Sequence, residues 1–199
     1  MEVSTANRVR VASVLLMLLY CPLLGAQTAS HGTLAANQDS LVVASFENHV
    51  KEYMKLRNKA KAGIPALKPT DSAHKINQHQ RLLASRIRTA RPEAKEGDIF
   101  TPDISQLFKR LIATAFQGSD AARVRASLRH AEPVSEVPLR VNAVYPDSIP
   151  LQSTPPSVLL NLPELPAELD YRIVGRDLVL RDVGANLVLD FIPSAIPSS

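Results

Sequence analysis

The chain has 199 residues, of which 45% are apolar, and its 23 basic and 19 acidic residues give a formal net charge of +4. This length is enough for one modest domain or two small ones. The single cysteine, Cys21, excludes an intramolecular disulfide and a zinc site built from several thiolates.

The N-terminal segment has the three parts of a secretory signal peptide. Two arginines precede an apolar stretch at 14–24, and small residues follow it. This stretch of about 11 residues is shorter than the roughly 20 that a spanning helix needs. We therefore expect 1–26 to be a signal peptide, cleaved after Ala26 or Ala29, and the protein to be exported to a bacterial periplasm or extracellular space. A retained membrane anchor and a lipid on Cys21 are the alternatives.

The mature chain is predicted to begin with a flexible lead-in at 27–38, followed by a helix over Asp39–Ala62. The helix prediction rests on apolar residues spaced three and four apart, which form one stripe. These residues are Val42, Val43, Phe46, Val50, Tyr53, Met54 and Leu56. Gly63 and Pro65 then provide a strong stop signal.

Three further helices are predicted before residue 131. The second covers Asp71–Arg91 and ends at Pro92. The third starts at Pro102 and runs to Gln117, because Thr101 suits the N-cap and proline suits the first helical position. The fourth, capped by Ser119 or Asp120, runs to Arg129. Residues 39–131 are thus predicted to form a basic helical domain, a small bundle of three to four helices.

The C-terminal part is predicted to be proline-rich and then to form a sheet. Residues 132–168 form a proline-rich connector, with a strand at Val137–Tyr145 and a short helix at Pro156–Leu162. Residues 169–193 alternate as a three-stranded antiparallel β-meander, and 194–199 form a tail. The predicted strands are Leu169–Val174, Asp177–Arg181 and Asn186–Ile192, with Leu187, Leu189 and Phe191 on one face. The fold class is therefore α+β.

Charge is unevenly distributed along the chain. Residues 51–96 contain twelve basic and four acidic residues, a net charge of +8, whereas 132–190 contain four basic and nine acidic residues, a net charge of −5. The basic stretch has three interpretations: a solvated helix face, docking on the acidic C-terminal half, or binding of an anionic partner. The partner expected from the sequence is another envelope macromolecule, contacted through the basic helical face. Export argues against nucleic acid, and a membrane is expected as a partner only if the signal segment is retained.

No residue pattern predicts a catalytic, cofactor-binding or metal site, and we expect a protein that is not an enzyme. The five histidines form no ligand motif; His74 and His79, five residues apart, lie on different helical faces. Asp98 and Asp103 are interpreted as cap and first-turn charges. The meander aspartates are interpreted as turn and solvent-facing residues; they are Asp170, Asp177, Asp182 and Asp190. There is no nucleophile elbow, phosphate loop or dinucleotide fingerprint.

Two segments carry a family resemblance. Ala94–Pro102 (AKEGDIFTP) and Leu165–Asp182 (LPAELDYRIVGRDLVLRD) resemble segments of uncharacterised exported bacterial proteins, which implies export and fold but no activity. The second segment is also similar to the C-terminal strand unit of RcnB-type periplasmic nickel/cobalt-homeostasis proteins. No metal-binding cluster lies beside it in the sequence, so no metal role is inferred.

The expected function is that of an exported, non-enzymatic binding or structural envelope protein. The alternative is a periplasmic binder of a small ligand or metal ion. An uncharacterised hydrolase is the third choice.

Overall fold

The structure, a computed structural model, describes residues 28–117, 121–129, 138–145 and 154–197. Its helices are α1 (Thr28–Lys61), α2 (Ala73–Ala90), α3 (Pro102–Ala115), α4 (Ala121–Arg129) and α5 (Pro156–Leu159). Its strands are β1 (Leu169–Val174), β2 (Asp177–Asp182) and β3 (Leu187–Ile192). The strands form one antiparallel sheet in the order β1-β2-β3. The predicted α+β class is confirmed.

The largest shift in an element boundary is at the start of α1. The helix begins at Thr28, so the backbone that was predicted to be a flexible lead-in is helical from that residue. The segment 28–38 contains no proline, and its alanines favour a helix, but it lacks the apolar stripe on which the prediction depended. The compact unit that carries the core begins only at Asp39, and the described residues before it, 28–38, belong to another unit.

The strand predicted at Val137–Tyr145 is wrong for the part that the structure describes, which starts at Pro138. This segment makes a turn and a single bridge, between Val144 and Leu187. Asn142 takes a left-handed conformation with φ 63°, and its backbone N–H donates to the Val188 carbonyl at 2.9 Å. A positive φ interrupts the extended backbone that a strand requires. Pro156–Leu162 is also shorter than predicted, since α5 ends at Leu159.

The helices and the sheet share one hydrophobic core. Its members come from α1, α2, α3, the loop before α3, the α5 region and the helix-facing side of the sheet. At its centre, the rings of Phe46, Phe100, Phe108 and Tyr171 form a chain of stacked and edge-on contacts with centroids 4.9–6.2 Å apart. The change in composition near residue 132 therefore lies within one packed unit.

A β-bulge in β3 interrupts the simple alternation of side chains between the two faces of the sheet. Asp190 pairs with Leu180 and Val188 pairs with Arg181, so Leu189 is the extra residue. Leu187 and Leu189 enter the main core as predicted, but Phe191 packs on the opposite face. A second cluster covers that face, made of Tyr145, Val174, Val179 and Val188. The bulge also turns the Asp190 side chain toward the helices.

Candidate functional site

Asp182, at the end of β2, is a fully buried carboxylate that joins the sheet to α1. Its Oδ2 accepts hydrogen bonds from the Tyr53 hydroxyl at 2.7 Å and from Arg57 Nε at 2.6 Å. Its Oδ1 accepts from the Ala185 amide at 2.8 Å, which closes the turn into β3. Tyr53 and Arg57 are four residues apart and therefore lie on the same face of α1. Burial and the Asp182 carboxylate raise the pKa of Tyr53.

Gly184 allows this ion pair to form. A Cβ atom at this position would lie 2.8 Å from Arg57 Nη2, closer than a Cβ atom approaches other atoms in proteins. Because the Arg57 guanidinium is almost completely buried and bonded to Asp182, it has little room to move away. The turn between β2 and β3 thus needs a residue without a side chain at Gly184.

Asp190 is the second fully buried carboxylate, and it binds the loop that precedes α3. Its Oδ1 accepts from the Gly97 amide at 3.0 Å, and its Oδ2 accepts from the Ile99 and Phe100 amides, both at 2.8 Å. Gly97 adopts φ 87°, which favours glycine, and this turn points successive amides at one carboxylate. These hydrogen bonds thus tie the AKEGDIFTP segment to β3, the strand that follows the LPAELDYRIVGRDLVLRD segment.

The predictions for the aspartates are partly confirmed. Asp182 does serve a turn, but the solvent-facing interpretation is wrong for Asp182 and Asp190, which are both 0% exposed. Alternation in the sequence placed Asp190 on the outer face, and the bulge reversed that placement. Asp177 accepts from the Ser194 amide at 2.9 Å, as expected of a turn residue. Asp103 lies in the first turn of α3, as predicted.

The buried carboxylates of Asp182 and Asp190 have a structural role, because both oxygens of each accept hydrogen bonds from other groups of the chain. Asp170, on the other face of the sheet, is likewise held by Arg172 and Arg181 at 2.6 and 2.8 Å. A carboxylate that serves as a general acid or base must reach a substrate proton. Asp182 and Asp190, both fully buried, are not placed to do so, whereas Asp170 is half-buried and lines a cleft between the α5 region and β1.

A small cleft of about 220 Å³ lies beside Tyr53 and Arg91. The Arg91 guanidinium lies over the Tyr53 ring, 5.6 Å from its centroid, and burial lowers the pKa of Arg91. His49, Glu52 and Asp98 also line the cleft. One guanidinium and two carboxylates thus line this cleft.

A larger cleft of about 480 Å³ lies between the α5 region and β1. Leu159, Leu162, Leu165 and Tyr171 contribute to its walls, and the Tyr171 hydroxyl donates to the Pro163 carbonyl at 3.1 Å. The volume lies in the range that small-molecule sites occupy. The cleft is thus large enough for a small ligand.

A basic surface runs along α2 and reaches the end of α1. It consists of Lys59, Lys61, Lys75, Arg81 and Arg86, all exposed. Arg86 Nη1 donates to the Ala62 carbonyl at 2.9 Å, which joins the two helices at this surface. α2 has no acidic residue, and Tyr53–Pro92 contain ten basic residues and one acidic residue, Asp71. The Arg57–Asp182 ion pair fits the interpretation that the basic stretch docks on the acidic C-terminal half. The exposed cations of the basic surface lie outside that contact.

The histidines that the structure describes do not form a metal-binding group. His74 is exposed on α2 and His79 is half-buried, and across the described ranges no group of three histidine, cysteine or acidic side chains could hold a metal ion. His130 and the side chain of His31 lie outside the described residues.

The chain matches no known family model, and neither a curated protein nor a solved structure is significantly similar to it. None of the helices in the described ranges has the length and apolar character that crossing a membrane requires.

Proposed function

We propose that this chain is an exported, non-enzymatic bacterial protein that binds an anionic envelope macromolecule through the basic surface. The observation that carries this proposal is that seven basic residues of Tyr53–Pro92 are exposed, against one exposed acidic residue, Asp71. Such an excess creates a local positive potential that attracts an anionic partner. The signal-peptide pattern of 1–26 supports export.

A salt-elution experiment on immobilised dextran sulfate tests the binding. The variant Lys75→Glu/Arg81→Glu reverses two exposed charges on α2, and the control Lys109→Glu/Arg140→Glu reverses two exposed charges elsewhere. Both variants change the net charge equally. We expect the α2 variant to elute at clearly lower salt than the control, because its loss is local. Elution of both variants at the same salt concentration would contradict the proposal.

Export is tested by N-terminal sequencing and intact mass of protein recovered from a bacterial periplasmic fraction. A start at Gln27 or Ser30 with no added mass supports export as a soluble protein. Recovery in the cytoplasm with Met1 intact contradicts it.

The cleft beside β1 favours a second candidate, a periplasmic protein that binds a small molecule. Its volume of about 480 Å³ and its leucine-rich walls suit a partly apolar ligand. Native mass spectrometry of protein purified without denaturation tests this candidate. A retained mass that is lost on substitution of the exposed cleft residue Leu159 (Leu159→Asp) supports it, and a bare chain mass from every preparation contradicts it.

A further inference from the structure

The basic surface contains an exposed leucine at its centre. Leu82 is 42% exposed, while the buried face of α2 is formed by Leu83, Ala84 and Ile87. Lys75 and Arg86 lie seven residues before and four residues after Leu82, so the three share one stripe of the helix. Arg81 is its direct neighbour in the sequence. The exposed Leu82 side chain therefore lies between two cations on one stripe of α2, and Arg81 lies about 100° around the helix from it.

The connector between α1 and α2 adds a second leucine to the same region. Its start is tied to α2 by the bond from Arg86 to the Ala62 carbonyl, and its end is tied by Ser72, whose hydroxyl caps α2. Leu67 is 41% exposed and precedes Lys68. It is five residues from Ala62, so it lies within about 18 Å of that residue. The connector thus carries an exposed leucine and an exposed lysine between the two points at which it is attached to α2.

We propose that α2 and the connector bind the surface of an anionic lipid bilayer, with Leu82 and Leu67 entering the headgroup region. This inference rests on the proposed function and names its partner. Cations are attracted to the surface of an anionic bilayer, and apolar side chains that enter the boundary add to the binding. A soluble polyanion would engage the cations and leave both leucines in water. Binding of this kind does not need the apolar segment at 14–24.

Co-sedimentation with vesicles tests the inference on the protein recovered from the periplasmic fraction. The vesicles contain either phosphatidylcholine alone or an equal mixture of phosphatidylglycerol and phosphatidylcholine. We expect binding to the anionic vesicles alone, and loss of that binding in Lys75→Glu/Arg81→Glu. The variant Leu67→Ser/Leu82→Ser is expected to lower the partition coefficient about tenfold. The control Leu160→Ser, at a leucine that is 86% exposed near α5, is expected to bind like the parent chain.

The outcomes separate this inference from the proposed function. Retention on dextran sulfate without binding to anionic vesicles overturns the bilayer inference and leaves the proposed function standing. Vesicle binding that Leu67→Ser/Leu82→Ser does not weaken also overturns it, since the contact is then purely electrostatic. Failure to bind both probes overturns both proposals. All five substituted positions are exposed, and circular dichroism checks that each variant is folded.

Discussion

Asp182 and Asp190 are both fully buried on the helix-facing side of one sheet, yet they are stabilised by different kinds of partner. Asp182 is neutralised by a charge, the Arg57 guanidinium, with help from the Tyr53 hydroxyl. Asp190 is surrounded by backbone amides, three from the loop before α3 and its neighbour Phe191. The first contact depends on side chains of α1, and the second depends on the path of a loop. A buried carboxylate can therefore anchor either a helix face or a turn.

The charged contact is expected to be the more costly one to break. Asp182→Ala leaves the Arg57 guanidinium buried without its ion-pair partner, and we expect the free energy of unfolding to fall by about 3–5 kcal/mol. Denaturant unfolding measures this fall. Asp177→Ala, which removes one half-exposed turn aspartate, is the control, with an expected fall below about 1 kcal/mol. Equal falls in the two variants would show that Arg57 is satisfied without Asp182.

The amide-bound carboxylate is expected to tolerate substitution somewhat better. Asp190→Asn keeps the shape but turns an amide group toward backbone donors, and we expect a loss of about 2–3 kcal/mol. The loss is local, so hydrogen exchange at the Ile99 and Phe100 amides should accelerate more than exchange in α2. Asp98→Asn, at an exposed residue of the same loop, is expected to leave both amides protected. Unchanged exchange in Asp190→Asn would refute the role of this carboxylate.

The hydrogen bond from the Tyr53 hydroxyl makes the buried contact at Asp182 sensitive to alkaline pH. Burial and the Asp182 carboxylate raise the pKa of Tyr53 above its ordinary value of 10.0, and burial also raises the pKa of Tyr171. A raised pKa gives stability that is present below pH 10 and is lost as pH rises beyond it. We expect each tyrosine to lower the free energy of unfolding by about 1.4 kcal/mol per pH unit in that range.

Comparison with Tyr53→Phe isolates this effect. The variant lacks the titrating hydroxyl, so its stability should fall less steeply between about pH 10 and about pH 11 than that of the parent chain. Lysine titration affects both proteins equally and cancels in the comparison. Parallel slopes in the two proteins would contradict the assignment.

Local patterns predicted the regular elements well. Thr101 and Pro102 set the start of α3, and its apolar residues at helical spacing enter the core as expected. The bounds predicted for β1 are those observed. These features depend on neighbours in the chain, such as a missing proline N–H or an alternating side-chain direction, and are therefore visible in the sequence.

The basic surface could be predicted in part from the sequence in the same way. The excess of basic residues can be counted, but the exposure of Leu82 and the attachment of the connector by Arg86 cannot. Two signals for the buried carboxylates were present and were missed. Arg57 lies in line with the apolar residues of α1, and Asp190 interrupts an apolar strand between Leu189 and Phe191. A charge at a core position needs a partner, so each signalled a buried contact.

The sequence by itself determined the α+β class, most helix and strand bounds, and the separation of a basic segment from an acidic one. Only the tertiary structure decided which charges are used internally. Arg57 and Asp182 are 125 residues apart, and their meeting depends on α1 packing against the turn of the sheet. The bulge at Leu189 decided the direction of Asp190. Local propensities do not encode such long-range contacts, because a single shift of strand register reverses which side chains face the core.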